Sequence, residues 1–271
     1  MTRRTALSVA MITSALLLPA HAHAQRRGGG PPPGGGPALA PKAQAPIDLT
    51  GYWVSVVSED WRFRMVTPPK GDYQGVPMTQ EAQRVANAWD PAADEAAGLQ
   101  CKSYGAAAIM RVPGRIHITW SDDNTLRVDT DAGTQTRMFR FGPAQARNSE
   151  PTWQGDSTAQ WEMPGGGRGG GRGGGRGGPP AEGAQRFGSL KVVTTNLRAG
   201  YLRKNGVPYS ENAVVTEYYD VAKERGGDEQ LVVTTVVDDP RYLQQHFIVS
   251  TQFKKQTGAT GWDPSPCSAT W

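Results

Sequence analysis

From Gly51 onward, apolar and polar residues alternate in short runs, the period expected when successive side chains point to opposite faces of a strand. In "RIHITW" (115–120), Arg115, His117 and Thr119 share one face, and Ile116, Ile118 and Trp120 the other. Similar runs are "GYWVSVV" (51–57), "RFRMV" (62–66), "TLRVDT" (125–130), "TQTRMFRF" (134–141), "STAQWEM" (157–163), "SLKVVTT" (189–195), "AVVTEYYDV" (213–221), "LVVTTVV" (231–237) and "HFIVSTQF" (246–253). Turn-prone breaks such as "SDDN" and "DAG" separate them. Most neighbours lie close enough in sequence to pair antiparallel. "LVVTTVV" is apolar or threonine on both faces, so both faces must be covered, which favours a closed barrel over an open sheet. One helix is predicted over Gln80–Trp89, where Ala82, Val85, Ala86 and Trp89 share a face. Thr79 can cap its start, and Asp90-Pro91 stops it. The predicted fold class is all-β: an antiparallel barrel of about 8–10 strands with one short helix, a size that can hold one small ligand.

Two stretches break the pattern. "MTRRTALSVAMITSALLLPAHAHA" places Arg3 and Arg4 before an apolar run and ends in a small-x-small site, the order of a secretory signal over residues 1–24. Its apolar run is shorter than the ~20 residues that cross a membrane as a helix, and no second such run exists, so no transmembrane segment is expected. Residues 25–46 are rich in Gly and Pro and read as a disordered leader. The remaining domain, 47–271, is interrupted at 164–187 by a Gly/Arg tract with Arg168, Arg172 and Arg176, which reads as a disordered loop. The expected location is periplasmic or secreted.

Charge narrows the function classes. The whole chain carries +4, but the signal holds +2, the leader +3 and the Gly/Arg loop +3, leaving the folded part at −4. A mildly acidic domain offers no groove for phosphates, and the loop has no interleaved aromatics to stack on bases, so no nucleic-acid partner is expected. Contact of the basic loops with anionic cell-surface polymers stays open. The chain's two cysteines, Cys101 and Cys267, read in an oxidising compartment as a disulfide pinning the C-terminal tail; two buried free thiols are the competing reading.

"DLTGYWVSV" carries Gly51-x-Trp53 on the first strand and resembles the opening signature of lipocalin-type barrels, in which the tryptophan plugs the closed end. The resemblance implies a basic residue of the last strand over that tryptophan, here Lys254 or Lys255. A wider resemblance, to a group of exported bacterial proteins of unknown function, rests on the order "DLTGYW", Cys101, "PTWQGDSTAQWE", "SLKVVTTN", "NGVPYSENAVVTEYY", "VVDDPRYL" and Cys267. It implies that the Gly/Arg tract replaces a tight hairpin turn after Glu162.

Candidate chemistry is sparse. Outside the signal the histidines are His117 and His246, with no metal-ligand spacing, so neither a metal site nor a cofactor is expected. "SDDNT" (121–125) resembles a calcium loop only loosely and reads as a hairpin turn. His117 is a general base if its face lines a lumen and a surface residue if it faces water. Glu217 sits in an apolar row with Val215, Tyr219 and Val221, where a carboxylate needs a partner or a proton. Arg111, Arg115, Arg137, Arg140 and Arg203 are the candidate partners. "GYLRKNGVPYS" (200–210) reads as a loop able to bring Tyr201, Arg203 and Tyr209 over a barrel mouth. The leading functional reading is an exported lipocalin-like barrel binding a small, largely apolar molecule, with Trp53, Arg115, Trp120, Arg140, Tyr201, Arg203 and Tyr219 lining the site. The rival is a cofactor-free lyase, isomerase or hydratase using His117 and Glu217. A third reading is a structural envelope protein.

Overall fold

A computed structural model describes residues 39–142, 150–163 and 187–270. The signal, most of the leader and the Gly/Arg tract up to residue 186 lie outside the described residues. The strands are β1 (Gly51–Val56), β2 (Arg115–Asp122), β3 (Thr125–Thr130), β4 (Gln135–Phe141), β5 (Asp156–Glu162), β6 (Ser189–Thr195), β7 (Gly200–Tyr201), β8 (Pro208–Tyr209), β9 (Val214–Lys223), β10 (Glu229–Asp238) and β11 (Phe247–Gln256). Among the described residues nine of them close a barrel in the order β1-β11-β10-β9-β6-β5-β4-β3-β2, while β7 and β8 form a separate ribbon.

Barrel parity explains one departure from the antiparallel expectation. Nine strands cannot alternate in direction all the way round, so at least one neighbouring pair must run parallel. That pair is β4 and β5, with Phe139 opposite Ser157 and Phe141 opposite Ala159. β5 therefore starts at the same end of the barrel as β4. The β5–β6 ladder runs as far as Glu162 opposite Ser189, so the Gly/Arg tract joins two strands hydrogen-bonded up to its edge.

The alternation sorts side chains to the two faces of the wall. Trp53, Ile118, Val128, Phe139, Leu190, Val192, Tyr219, Leu231, Val233 and Phe253 form one buried cluster inside. The Trp53 indole donates to Leu49 O at 2.9 Å. Lys255, opposite Trp53 on β11, sets its ammonium 4.3 Å from the indole. Lys255 thus fills the place that the resemblance assigns to a basic residue. At the same end Trp120 and Trp161 pack around Phe141. The Trp161 indole donates to Pro41 O at 2.8 Å, docking a helical turn, α1 (Pro41–Gln44), at the end of the expected leader.

The opposite end, the mouth, is covered by the long segments 57–114 and 196–213. Here two expectations need correcting. "RFRMV" is not a strand: Trp61–Arg64 forms a helical turn, α2, that buries Phe63 and Arg64 and leaves Trp61 and Met65 exposed. A four-residue coil over the mouth, not a pleated pairing, decides which of these side chains are covered. The second concerns helix number. The predicted helix is present as α3 (Gln80–Asn87), with Thr79 Oγ1 accepting from Ala82 N, but Asp90-Pro91 also opens α4 (Pro91–Ala96). Asp90 caps the N–H groups of Ala92 and Ala93, and proline at the first helical position costs no hydrogen bond. Ala82 and Ala86 of α3 pack with Val207, Tyr209 and Leu243 in a second buried cluster.

Cys101 and Cys267 are joined in a disulfide that spans 166 residues of sequence. It holds the C-terminal tail against the mouth segments. Among the described residues no helix is long and apolar enough to cross a membrane.

Candidate functional site

The sequence-predicted residues separate when placed on the barrel. His117 is on the outer face of β2, stacked on Tyr52 at 3.9 Å between ring centroids and edge-on to Trp262. Glu217 points the other way on its strand, into the barrel. The two do not converge on a common atom. Arg115 and Arg140 lie on strand positions whose neighbours Ile116 and Phe139 turn inward, so both belong to the outer wall. Trp53 and Trp120 are core residues of the plugged end. Tyr201 donates to Asp94 Oδ2 at 2.9 Å beside Lys102; burial and the Asp94 carboxylate raise its pKa.

Inside the barrel, Glu217 has found one of its candidate partners. Arg137 of β4 donates Nη1 to Oε1 at 2.8 Å and Nη2 to Oε2 at 2.6 Å, with both side chains fully buried. Tyr219 OH lies 3.3 Å from Glu217 Oε1, and Thr194 and Ser157 extend the polar row. The carboxylate and the guanidinium satisfy each other in a paired, two-pronged contact. This is a closed internal ion pair with no path to solvent.

The mouth holds a different arrangement. Arg64 of α2, Arg111 at the end of a 3-10 turn and Arg203 of the β7–β8 connection are 1%, 6% and 4% exposed. Together with Phe63, Ser103 and Lys204 they surround a cavity of about 20 Å³. Each guanidinium is partly engaged. Arg64 Nε donates to Arg111 O at 2.8 Å and Nη1 to the Glu59 carboxylate. Arg111 Nη2 donates to Asp60 Oδ2 at 3.1 Å, and Arg203 Nη1 to Gln74 O at 2.7 Å. Each also keeps one buried nitrogen with no hydrogen-bond partner: Nη2 of Arg64, Nη1 of Arg111 and Nε of Arg203. Lys204 turns its ammonium toward Tyr104 OH at 2.7 Å and the tail carbonyls of Ser268 and Thr270.

The electrostatics are unbalanced. Four cations line the cavity, Arg64, Arg111, Arg203 and Lys204, and among the described residues the carboxylates within 4 Å of them are Glu59 and Asp60, so positive charge is in excess. No carboxylate lies within 4 Å of Arg203 among the described residues; Asp60 and Asp72 act on it from farther away, and Arg62 opposes them. Burial is the first cause that lowers the pKa of all three. Arg111 is brought down to about 10, with repulsion from Arg203 and Arg64 adding to burial, and Asp60 and Glu59 opposing. Buried polar groups are ordinarily paired, and a buried cation lacking a partner costs several kcal/mol. The three residues that carry these nitrogens line one cavity, and an acceptor bound there would supply the missing partner.

No family model, curated protein or solved structure matches this chain.

The functional reading therefore rests on the geometry. Of the residues expected from sequence, Arg203 is in the mouth site; Arg111 is among the partners offered to Glu217, and Arg64 falls within "RFRMV", which reads as a strand. Their signal was weak: arginines beside apolar residues in connecting segments, "IMRVPG" and "GYLRKNG", with few acids nearby. Among the described residues no three His, Cys, Asp or Glu side chains converge as metal ligands.

Proposed function

We propose that this chain is an exported, lipocalin-like binding protein whose ligand carries an anionic group, held at the barrel mouth by Arg64, Arg111 and Arg203. One observation carries the reading: three buried guanidiniums, each with an unpartnered nitrogen, line a single cavity. The sequence expectation seated an apolar molecule in the barrel interior. That space is occupied by Trp53, Phe139, Tyr219, Phe253 and the Arg137–Glu217 pair, so the reading seats the ligand at the mouth. The enzyme alternative needed His117 and Glu217 to share a substrate atom, and the barrel wall stands between them. Export is supported by the N-terminal sequence and fits the disulfide.

The test is a thermal-shift and calorimetric titration of the mature protein with sodium acetate and sodium phosphate, at constant ionic strength, against the neutral analogue acetamide. A ligand that binds only the folded state stabilises it by mass action, raising Tm with concentration. Anions should raise Tm and acetamide should not. Arg203→Met should lose the response while its circular dichroism stays that of the parent. An equal response to acetamide, or an unchanged response in Arg203→Met, would overturn the assignment.

A further inference from the structure

The barrel wall is incomplete beside the mouth. β10 pairs with β11 along Phe247–Lys254, but β1 pairs only with Gln252–Gln256. β1 ends at Val56, opposite Gln252, and the chain then leaves the wall to form α2. Phe247–Thr251 of β11 therefore has a neighbour on the β10 side and, among the described residues, no strand or bridge partner on the other. Backbone groups point to alternate sides along a strand. Ser55 N donates to Gly114 O, toward β2, so Val54 and Val56 face β11 and meet Lys254 and Gln252. The same parity turns the N–H and C=O groups of Ser250 and Ile248 to the open side.

A cleft of about 490 Å³ lies along this edge, lined by Phe247, Ile248 and Val249 of β11 and by Asp60, Trp61 and Phe63 of the α2 segment. Its surface is mainly polar, which suits a peptide backbone. Trp61, 64% exposed, and Ile248, 59% exposed, flank it with apolar side chains. An unpaired edge is a template for another strand, whose main chain supplies affinity and whose alternate side chains supply specificity. Charge adds a direction. Arg203 lines both this cleft and the arginine cavity, lies 5.9 Å from the Phe247 ring and has no partner for its Nε. The other charged groups on the cleft are engaged, Asp60 with Arg111 and Arg62 with Asp72. A peptide antiparallel to β11 follows the line that β1 abandons, and its C-terminal end arrives opposite Phe247, beside Arg203.

We propose that the ligand is an extended acidic peptide that adds to β11 as an antiparallel strand and sets an anionic group at its C-terminal end on Arg203. This rests on the anion reading above and deepens it: the arginine cavity receives the charge, and the free edge identifies the kind of molecule that carries it. Ile248 and Ser250 bond the peptide backbone, and alternate peptide side chains lie against Trp61 and Ile248. A second copy of this chain, joined edge to edge, would use the same backbone groups but would leave Arg203 without its acceptor.

The experiment is isothermal titration of the mature protein with the peptide acetyl-Thr-Val-Thr-Val-Glu-amide, its fully N-methylated form, its Gln analogue, the reversed order acetyl-Glu-Val-Thr-Val-Thr-amide, and acetyl-Glu-amide alone. The first should bind at least about 10-fold tighter than each of the others, since one charge-assisted hydrogen bond lost is worth about that factor. Ser250→Pro removes an outward N–H and no bond of the β10 ladder, a place where a strand tolerates proline. It should reduce the peptide to the level of acetyl-Glu-amide and leave the Tm response to acetate and phosphate unchanged. N-methylated peptide binding as tightly as the parent peptide, or no peptide binding while acetate and phosphate still raise Tm, overturns strand addition and leaves anion binding standing; the N-methylated arm decides even if Ser250→Pro does not fold. The reversed peptide binding equally overturns the antiparallel direction. Sedimentation showing a dimer that Ser250→Pro disperses assigns the edge to a second copy and overturns the peptide. No response to any anion overturns both readings.

Discussion

Replacing Glu217 by glutamine removes one charge from the barrel interior and almost no volume. In the parent, Arg137 and Glu217 exchange two hydrogen bonds of 2.8 and 2.6 Å at zero solvent exposure. At the effective dielectric that suits such pairs, their attraction is about 4 kcal/mol, comparable to the several kcal/mol each ion loses on leaving water. The intact pair therefore contributes little net stability. Half of it is another matter. Glutamine keeps one acceptor oxygen but sets an amide N–H2 against the other guanidinium nitrogen, and it leaves the Arg137 charge with no counter-ion and the Thr194 and Tyr219 hydroxyls at 3.4 and 3.5 Å. The expected cost of Glu217→Gln is about 3–5 kcal/mol. For a domain of this size each kcal/mol shifts Tm by about 2–4 °C. The double variant Arg137→Met/Glu217→Leu removes both charges and should return to within about 1 kcal/mol of the parent or exceed it.

The assay is equilibrium urea unfolding with the disulfide intact, followed by tryptophan fluorescence. Glu217→Gln within 1 kcal/mol of the parent would refute the claim that this ion pair is dry and mutually dependent. So would a double variant as unstable as the single. If Glu217→Gln does not accumulate, the double variant alone still decides the matter, because recovery of a folded protein on removing the second charge is the signature of an uncompensated first one.

Other outcomes follow from the mouth. Burial lowers the Lys204 pKa to about 8 from an unfolded value of 10.5, so between those values the unfolded chain holds more protons and stability rises with pH. The unfolding free energy from urea titrations should climb from pH 8 to 10, by up to about 2 kcal/mol, and the climb should vanish in Lys204→Met. Above pH 10 the trend should reverse: Tyr104 and Tyr209 have pKa values raised chiefly by burial, and the stability they give is lost as pH rises toward those folded values. The Cys101–Cys267 bond closes a loop of 166 residues, for which chain entropy gives about 5 kcal/mol as an upper bound. Cys101→Ser/Cys267→Ser should be destabilised by as much as that, and parent protein unfolded under reductant should match it. Gly206 has φ +83° and its missing Cβ would strike the Trp89 side chain, so Gly206→Ala should cost about 2 kcal/mol or more in the same urea assay.

The barrel was legible because its strands announce themselves twice. Alternation marks the wall, as in "RIHITW", and two-sided apolar strands such as "LVVTTVV" require closure. Glu217 was legible for a related reason, since a carboxylate in an apolar row needs a counter-charge. Which arginine supplied it was not, because five were available and only the registers that run from β4 through β5 and β6 to β9 bring Arg137 to it. The parallel β4–β5 pair depends on strand parity, a property of the closed ring that no single segment carries. Asp90-Pro91 was read as a stop when it is also a start, because a capping residue and a proline look the same from either side. Arg64 was lost because five residues of alternating polarity fit a strand as well as a helical turn that buries one face.

The two groups of buried arginine in this chain solve one physical problem in opposite ways. Arg137 also has an unpartnered nitrogen, its Nε, so an orphaned atom alone does not separate the interior from the mouth. What separates them is charge and space. Arg137 faces a carboxylate of equal and opposite charge among packed side chains. Arg64, Arg111 and Arg203 outnumber their carboxylates and border a cavity that opens beside exposed aromatic surface. A structural ion pair has no reason to leave a charge uncompensated next to a void; a binding site does, because the missing partner arrives with the ligand. The same reasoning fixes what each perturbation should do. Removing charge from the interior pair should alter stability and leave anion binding unchanged. Removing Arg203 should abolish binding, and because it relieves repulsion on Arg111 it should cost the unliganded protein little. A barrel in which Arg203→Met is as damaging to stability as Glu217→Gln would place both groups in the same structural role.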